Sequence, residues 1–108
     1  MINNYVYVRK LTKLDRLLKE KYNQFQLYKR IYESNNKKKA KDEIEINDPE
    51  IIELLDLSSV DLIDILKNNN CEFEYMALPD NAKGQTLTIT NYNELINAIH
   101  TLIEFLRQ

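Results

Sequence analysis

The chain has 108 residues, a length that suits one domain built around one hydrophobic core. Cys71 is the only cysteine and His100 the only histidine, which excludes an internal disulfide and leaves too few ligands for a zinc site of the usual kind. No apolar run approaches the roughly 20 residues of a membrane span, and the N-terminus does not resemble a secretory leader. A cytoplasmic protein with no cofactor and no membrane partner is therefore expected.

Charge divides the chain into two parts. Residues 1–41 hold twelve Lys or Arg against three acids, a net charge of +9. Residues 42–108 hold three Lys or Arg against fourteen acids, a net charge of −11. This polarity favours a polyanionic partner for the first part, or a basic arm that lies on an acidic body. A surface that is unevenly charged but only solvated is the simpler alternative.

A long basic amphipathic helix is predicted over residues 9–34, which contain no Gly or Pro. Its apolar residues recur at steps of three and four and form one stripe: Leu11, Leu14, Leu18, Tyr22, Phe25, Tyr28 and Tyr32. Burial of this stripe in the core is favoured, and a stacking platform for single-stranded nucleic acid is the alternative. The preceding Tyr5–Val8 fits either a short strand or an extension of the helix.

A connection is predicted over residues 35–47, running from the Lys37–Lys39 cluster to a short strand through Ile44–Ile46. Asp48 and Pro49 then suit the N-cap and first position of a short helix. Ser58, with an acid three residues on, indicates the cap of a second helix that ends at the asparagines following residue 67. Two helices this close predict a helix-turn-helix over residues 48–68.

A β-hairpin is predicted over residues 71–90, because two alternating segments flank a turn cluster that contains the only glycine. A final helix is predicted over residues 91–107. Its apolar residues follow steps of four, three and four, as in a helix–helix seam. The seam favours a homodimer interface, with packing inside one chain as the alternative, and it consists of Leu95, Ile99, Leu102 and Leu106.

The order and spacing of these elements resemble winged-helix DNA-binding proteins. Residues 54–66 read L-L-D-L-S-S-V-D-L-I-D-I-L, followed by a strand, a loop ending in Lys83-Gly84, the strand T-L-T-I-T and a helix. Over about residues 48–100 this pattern is similar to repressors of the MarR type and to small TubR-like plasmid and phage partition proteins. The resemblance implies one α+β, mainly helical domain, a winged helix-turn-helix with a long N-terminal helix and a C-terminal dimerisation helix.

The resemblance also implies a DNA-binding homodimer that acts in transcription regulation or in plasmid or phage DNA partition. The helix over residues 59–68 would then enter the major groove, and the wing tip would reach the neighbouring minor groove. Exposed N–H groups at the start of that helix would hold a phosphate, and the lysine run would add further phosphate contacts. The candidate DNA-binding residues are Lys37, Lys38, Lys39, Lys41, Ser58, Ser59, Lys67, Asn81 and Lys83.

Acidic residues on the two presumed helices favour a different partner. Carboxylates that face phosphates are repelled, and residues 50–64 carry Glu50, Glu53, Asp56, Asp61 and Asp64. A phage or mobile-element inhibitor or adaptor, whose acidic face meets a basic protein and mimics nucleic acid, is therefore the main alternative. RNA binding by the basic helix alone is a third. No enzyme is expected, because Glu72 and Glu74 lack a nearby nucleophile and one glycine cannot make a phosphate loop.

Overall fold

The computed structural model describes residues 4–68, 87–90 and 92–108. Three helices and a two-stranded antiparallel sheet make up these residues, which confirms an α+β, mainly helical fold. In chain order the elements are α1 Asn4–Asn36, β1 Ile44–Ile46, α2 Pro49–Asn68, β2 Leu87–Ile89 and α3 Tyr92–Arg107. In the part of the chain so described, no helix is long and apolar enough to cross a membrane.

Helix α1 covers the predicted segment 9–34 and begins earlier, at Asn4, so Tyr5–Val8 is helical rather than a strand. The helix ends at Asn36 because Lys37 adopts a left-handed backbone, with φ of 53°. The Lys37 N–H donates to the carbonyl oxygen of Glu33 at 3.1 Å and so satisfies one of the last helical carbonyls. Lysine therefore occupies the position where glycine usually ends a helix.

Replacing Lys37 by glycine is expected to raise the free energy of unfolding by up to about 1 kcal/mol, because glycine has no Cβ to strain the left-handed backbone. Urea denaturation followed by circular dichroism measures the change. Lys37→Ala is the matched control, since it removes the same charge but keeps a Cβ. If alanine stabilises the protein as much as glycine does, the gain comes from the lost charge and not from the backbone.

Helix α2 runs without a break from Pro49 to Asn68, and the helix-turn-helix predicted over residues 48–68 is therefore wrong. Its start agrees with the predicted cap, because Asp48 Oδ1 accepts a hydrogen bond from the Glu50 N–H at 3.0 Å. The predicted second cap lies inside the helix. Ser58 Oγ donates to the Leu54 carbonyl oxygen at 3.0 Å, so the hydroxyl bonds the preceding turn instead of starting a new helix.

The two strands pair in antiparallel fashion, with Ile44 opposite Ile89 and Ile46 opposite Leu87. The strand expected through Ile44–Ile46 is present, and so is the last strand of the predicted hairpin. The first strand and the turn of that hairpin, with the wing tip at Asn81 and Lys83, lie outside the described residues. In the described part of the chain the partner of β2 is thus β1.

Helices α2 and α3 both run antiparallel to α1. Near the start of α2, Glu50 pairs with Lys13, and further along it Asp61 pairs with the earlier residue Tyr7. At the start of α3, the Tyr92 hydroxyl donates to the Leu18 carbonyl oxygen at 2.6 Å. Burial of that hydroxyl raises the pKa of Tyr92. The first half of α1 is therefore packed between the other two helices.

The seam predicted as a dimer interface belongs mostly to this core. Leu95 and Ile99 are fully buried and Leu102 nearly so, because α1 and α2 cover them within one chain. Only Leu106 remains partly exposed. A homodimer interface through Leu95, Ile99 and Leu102 is therefore wrong, since these side chains have no surface to offer a second subunit.

Candidate nucleic-acid interface

The apolar stripe of α1 leaves the core about halfway along the helix. Leu11, Leu14 and Leu18 are buried as predicted, and the partly buried Phe25 packs against the core. Tyr28 is 57% exposed, and Tyr32 is only partly buried. Core packing therefore accounts for the first half of the stripe and not for its last turns. The second half of α1 extends beyond the helices that cover the first.

Three aromatic rings form a ladder along this second half. The ring centroids of Phe25 and Tyr28 are 6.4 Å apart, and those of Tyr28 and Tyr32 are 5.9 Å apart. Both pairs are tilted, by 35° and 34°. The spacing of three and four residues places all three rings on one side of the helix. We call Phe25, Tyr28 and Tyr32 the aromatic ladder.

The segment after α1 folds back and forms a second wall beside the ladder. Lys29 Nζ pairs with Asp42 Oδ1 at 2.7 Å, and the Ala40 N–H donates to Glu33 Oε1 at 3.4 Å. Between helix and segment lies a groove of about 650 Å³. We call it the lysine groove, and its lining residues are Lys21, Gln24, Phe25, Tyr28, Tyr32, Lys39, Ala40, Lys41, Glu43, Ile44 and Glu45.

Positive charge is concentrated around this groove. Lys37, Lys38, Lys39 and Lys41 are exposed, and none of the four forms an ion pair with another of the described residues. The acids nearby are in part already occupied, since Asp42 pairs with Lys29 and Glu33 accepts from the backbone. The hydrogen bond to Asp42 is the main cause that raises the pKa of Lys29. Glu43 and Glu45 line the wall opposite α1, so the positive charge of the groove lies on the α1 side and along the lysine run.

The other predicted DNA-binding residues that the structure describes, Ser58, Ser59 and Lys67, lie on α2 and not at this site. Ser58 is 1% exposed, and both serines lie inside α2, so their N–H groups are not free at a helix start and cannot hold a phosphate. Lys67 is exposed at the far end of α2, toward the start of α1. Asn81 and Lys83 lie outside the described residues. Among the described residues predicted to bind DNA, Lys39 and Lys41 line the groove beside the aromatic ladder, and Lys37 and Lys38 directly precede them in the chain.

Asp61, the acid of the cap predicted at Ser58, bonds a tyrosine of α1 instead. Asp61 Oδ2 accepts a hydrogen bond from the Tyr7 hydroxyl at 2.5 Å, which ties α2 to α1. Burial, together with this hydrogen bond, raises the pKa of Tyr7. His100 on α3 makes a comparable contact with α1, since its half-exposed imidazole places Nε2 3.2 Å from Asp15 Oδ1. Both contacts join two helices, and none of their residues lines the lysine groove.

The sequence pattern predicted the lysine run and offered the basic and aromatic stretch of α1, Lys21 included, as an alternative stacking platform. It did not predict Gln24 or the fold-back that joins the two in one groove. One signal was present: Asn35 and Asn36 followed by lysines are typical of a helix end, after which the chain is free to reverse. Comparison with protein-family models, with curated proteins and with solved structures finds no match for the chain.

Proposed function

We propose that the protein binds single-stranded nucleic acid in the lysine groove. The observation that carries this proposal is the aromatic ladder lying beside lysines that have no ion-pair partner among the described residues. Bases stack on Tyr28 and Tyr32, and the sugar-phosphate backbone follows Lys37, Lys38, Lys39 and Lys41. This combination of a stacking platform and a basic groove is how proteins bind single strands without sequence preference.

The two walls of the groove offer a nucleic acid different contacts. A tyrosine ring provides an apolar face for any base, worth roughly 1–3 kcal/mol per base by alanine substitution. A lysine provides a mobile point charge, and each phosphate it neutralises releases a counterion. The exposed Tyr28 is otherwise unexplained by the fold, because it covers little of the core.

Duplex DNA read through a recognition helix is not part of this proposal. The helix expected to enter the major groove is the last part of the continuous α2, and it carries Asp64 on its exposed side with Lys67 as its one base. Carboxylates on that side would face phosphates and weaken binding. DNA remains a candidate ligand in single-stranded form, beside RNA, because both offer the same bases and phosphates.

The direct test is fluorescence anisotropy with a labelled 20-nucleotide oligo-dT, a 20-nucleotide oligo-rU and a 20-base-pair duplex. We expect both single strands to bind at least about 10-fold tighter than the duplex, because paired bases cannot reach the rings. A preference between dT and rU would separate DNA from RNA as the ligand. Tightest binding to the duplex would contradict the proposal.

Salt dependence tests the lysines separately. Replacing Lys37, Lys38 and Lys39 together by alanine is expected to reduce the slope of log K against log salt by about 2, since each phosphate contact on a single strand contributes about 0.7. The matched control replaces Lys10, Lys67 and Arg107 by alanine, which changes the net charge equally. Equal losses of slope in both triple variants would show that binding is diffuse and not centred on the groove.

A further inference from the structure

Helix α2 presents an exposed stripe that mixes apolar and acidic residues. Glu53, Leu57, Val60 and Asp64 follow steps of four, three and four and so lie on one line along the helix. Leu57 is 54% and Val60 72% exposed, with an acid at each end of the line. We call these four residues the acidic stripe. It is the face of α2 that points away from the core.

The far half of α1 carries a stripe of the opposite charge. Leu27 and Ile31 lie one turn apart and are both more than half exposed. At about 100° per residue they point away from Phe25 and Tyr32, so they do not line the lysine groove. Of the seven Lys or Arg in residues 21–41, three line the lysine groove and Lys29 pairs with Asp42. Arg30, Lys37 and Lys38 neither line the groove nor form an ion pair with another described residue. We call this part of α1 and the following lysines the basic end.

We propose that the acidic stripe of one molecule binds the basic end of a second molecule, head to tail. Leu57 and Val60 would pack on Leu27 and Ile31, while the acids at the ends of the acidic stripe approach the positive charge of the basic end. The two surfaces match in charge, in apolar content and in helical form, which allows ordinary helix–helix packing. A second copy of the chain therefore carries the surface that complements the acidic stripe.

The two surfaces cannot meet within one molecule. Contacts of Glu50 with Lys13 and of Asp61 with Tyr7 fix α2 beside the first half of α1, whereas Leu27 and Ile31 lie in its second half. Two-fold pairing of like surfaces is also disfavoured, because two basic ends or two acidic stripes repel. A head-to-tail contact joins unlike surfaces and leaves one of each free for further copies.

The expected association is weak, reversible and sensitive to salt. Each surface offers two large apolar side chains, which is less than a stable interface of standard size requires. Screening at high ionic strength removes much of the attraction between exposed charges. Sedimentation velocity at low salt is therefore expected to show a weight-average mass that rises with concentration, and at high salt a monomer.

The sharpest test uses two variants, each of which loses one surface. Val60→Lys disrupts the acidic stripe and Ile31→Glu disrupts the basic end. Each variant alone is expected to be monomeric, whereas an equimolar mixture forms dimers and nothing larger, because one intact surface of each kind remains. Phe105→Glu, a change at an exposed aromatic residue on α3, is the control and should associate like the unmodified chain. Circular dichroism establishes that all variants are folded.

Two outcomes would overturn this inference. An unmodified chain that stays monomeric at all concentrations and low salt would show that these surfaces do not bind each other. A Val60→Lys variant that still dimerises by itself would show pairing of like surfaces instead. The protein is purified after nuclease treatment and measured without nucleic acid, so failure here leaves the proposed function of the lysine groove unaffected.

Discussion

Replacing both Tyr28 and Tyr32 by alanine is expected to weaken binding of oligo-dT at least roughly 30-fold. Each base stacked on an aromatic ring contributes roughly 1–3 kcal/mol, and 1.4 kcal/mol corresponds to a factor of ten. The two losses are expected to act on the same ligand in one groove, since the rings are 5.9 Å apart. Anisotropy titrations at one fixed salt concentration measure the effect.

Two matched controls separate stacking from general damage. Tyr28→Phe with Tyr32→Phe keeps both rings and should bind within a few-fold of the unmodified chain, because a ring face and not a hydroxyl holds the base. Tyr5→Ala removes a more exposed aromatic side chain at the other end of α1 and should have no effect. Unchanged affinity in the double alanine variant would contradict a stacking role for the aromatic ladder.

Replacing Ser59 by proline is expected to lower the free energy of unfolding by about 3 kcal/mol or more. Ser59 lies ten residues into α2, where proline removes a backbone hydrogen bond and its ring meets the carbonyl of the preceding turn. In a helix-turn-helix capped at Ser58, the same residue would occupy the first helical position, which proline favours. The substitution therefore distinguishes one helix from two.

Urea denaturation of Ser59→Pro beside Ser59→Ala supplies the measurement and its control. Alanine keeps the backbone N–H and is a better helix former, so the alanine variant should be as stable as the unmodified chain or more so. Similar stability of the proline and alanine variants would contradict a continuous α2 and restore the helix-turn-helix as the arrangement of residues 48–68.

Periodicity predicted the helices well and their junctions poorly. Helices α1 and α3 follow from uninterrupted steps of three and four, which need no tertiary information. The break at Ser58 was predicted from a cap signal, yet a serine in mid-helix offers the same local pattern when its hydroxyl bonds the preceding turn. The steps of four, three and four through Ile51, Leu55, Ser58 and Leu62 continue across the presumed break, and this continuity was the sequence signal for one helix. The structure buries Ser58 in that line.

Local pattern also does not say which surface covers an apolar stripe. The steps of Leu95, Ile99 and Leu102 are the same whether the neighbour is another helix of the chain or a second subunit, and here α1 and α2 cover them. The lysine groove depends on the return of the chain after Lys37 and on the Lys29–Asp42 pair. These are tertiary contacts, so the lysines were predictable as a cluster while their position beside Tyr28 was not.

Photochemical crosslinking tests the central claim most directly. An oligo-dT in which 5-bromodeoxyuridine replaces thymine is bound, irradiated and digested, and the crosslinked peptides are identified by mass spectrometry. Stacking in the lysine groove predicts crosslinks at Phe25, Tyr28 or Tyr32, lost when unlabelled oligo-dT is added in excess. Crosslinks confined to residues 59–68 of α2, or none under conditions where anisotropy shows binding, would contradict it.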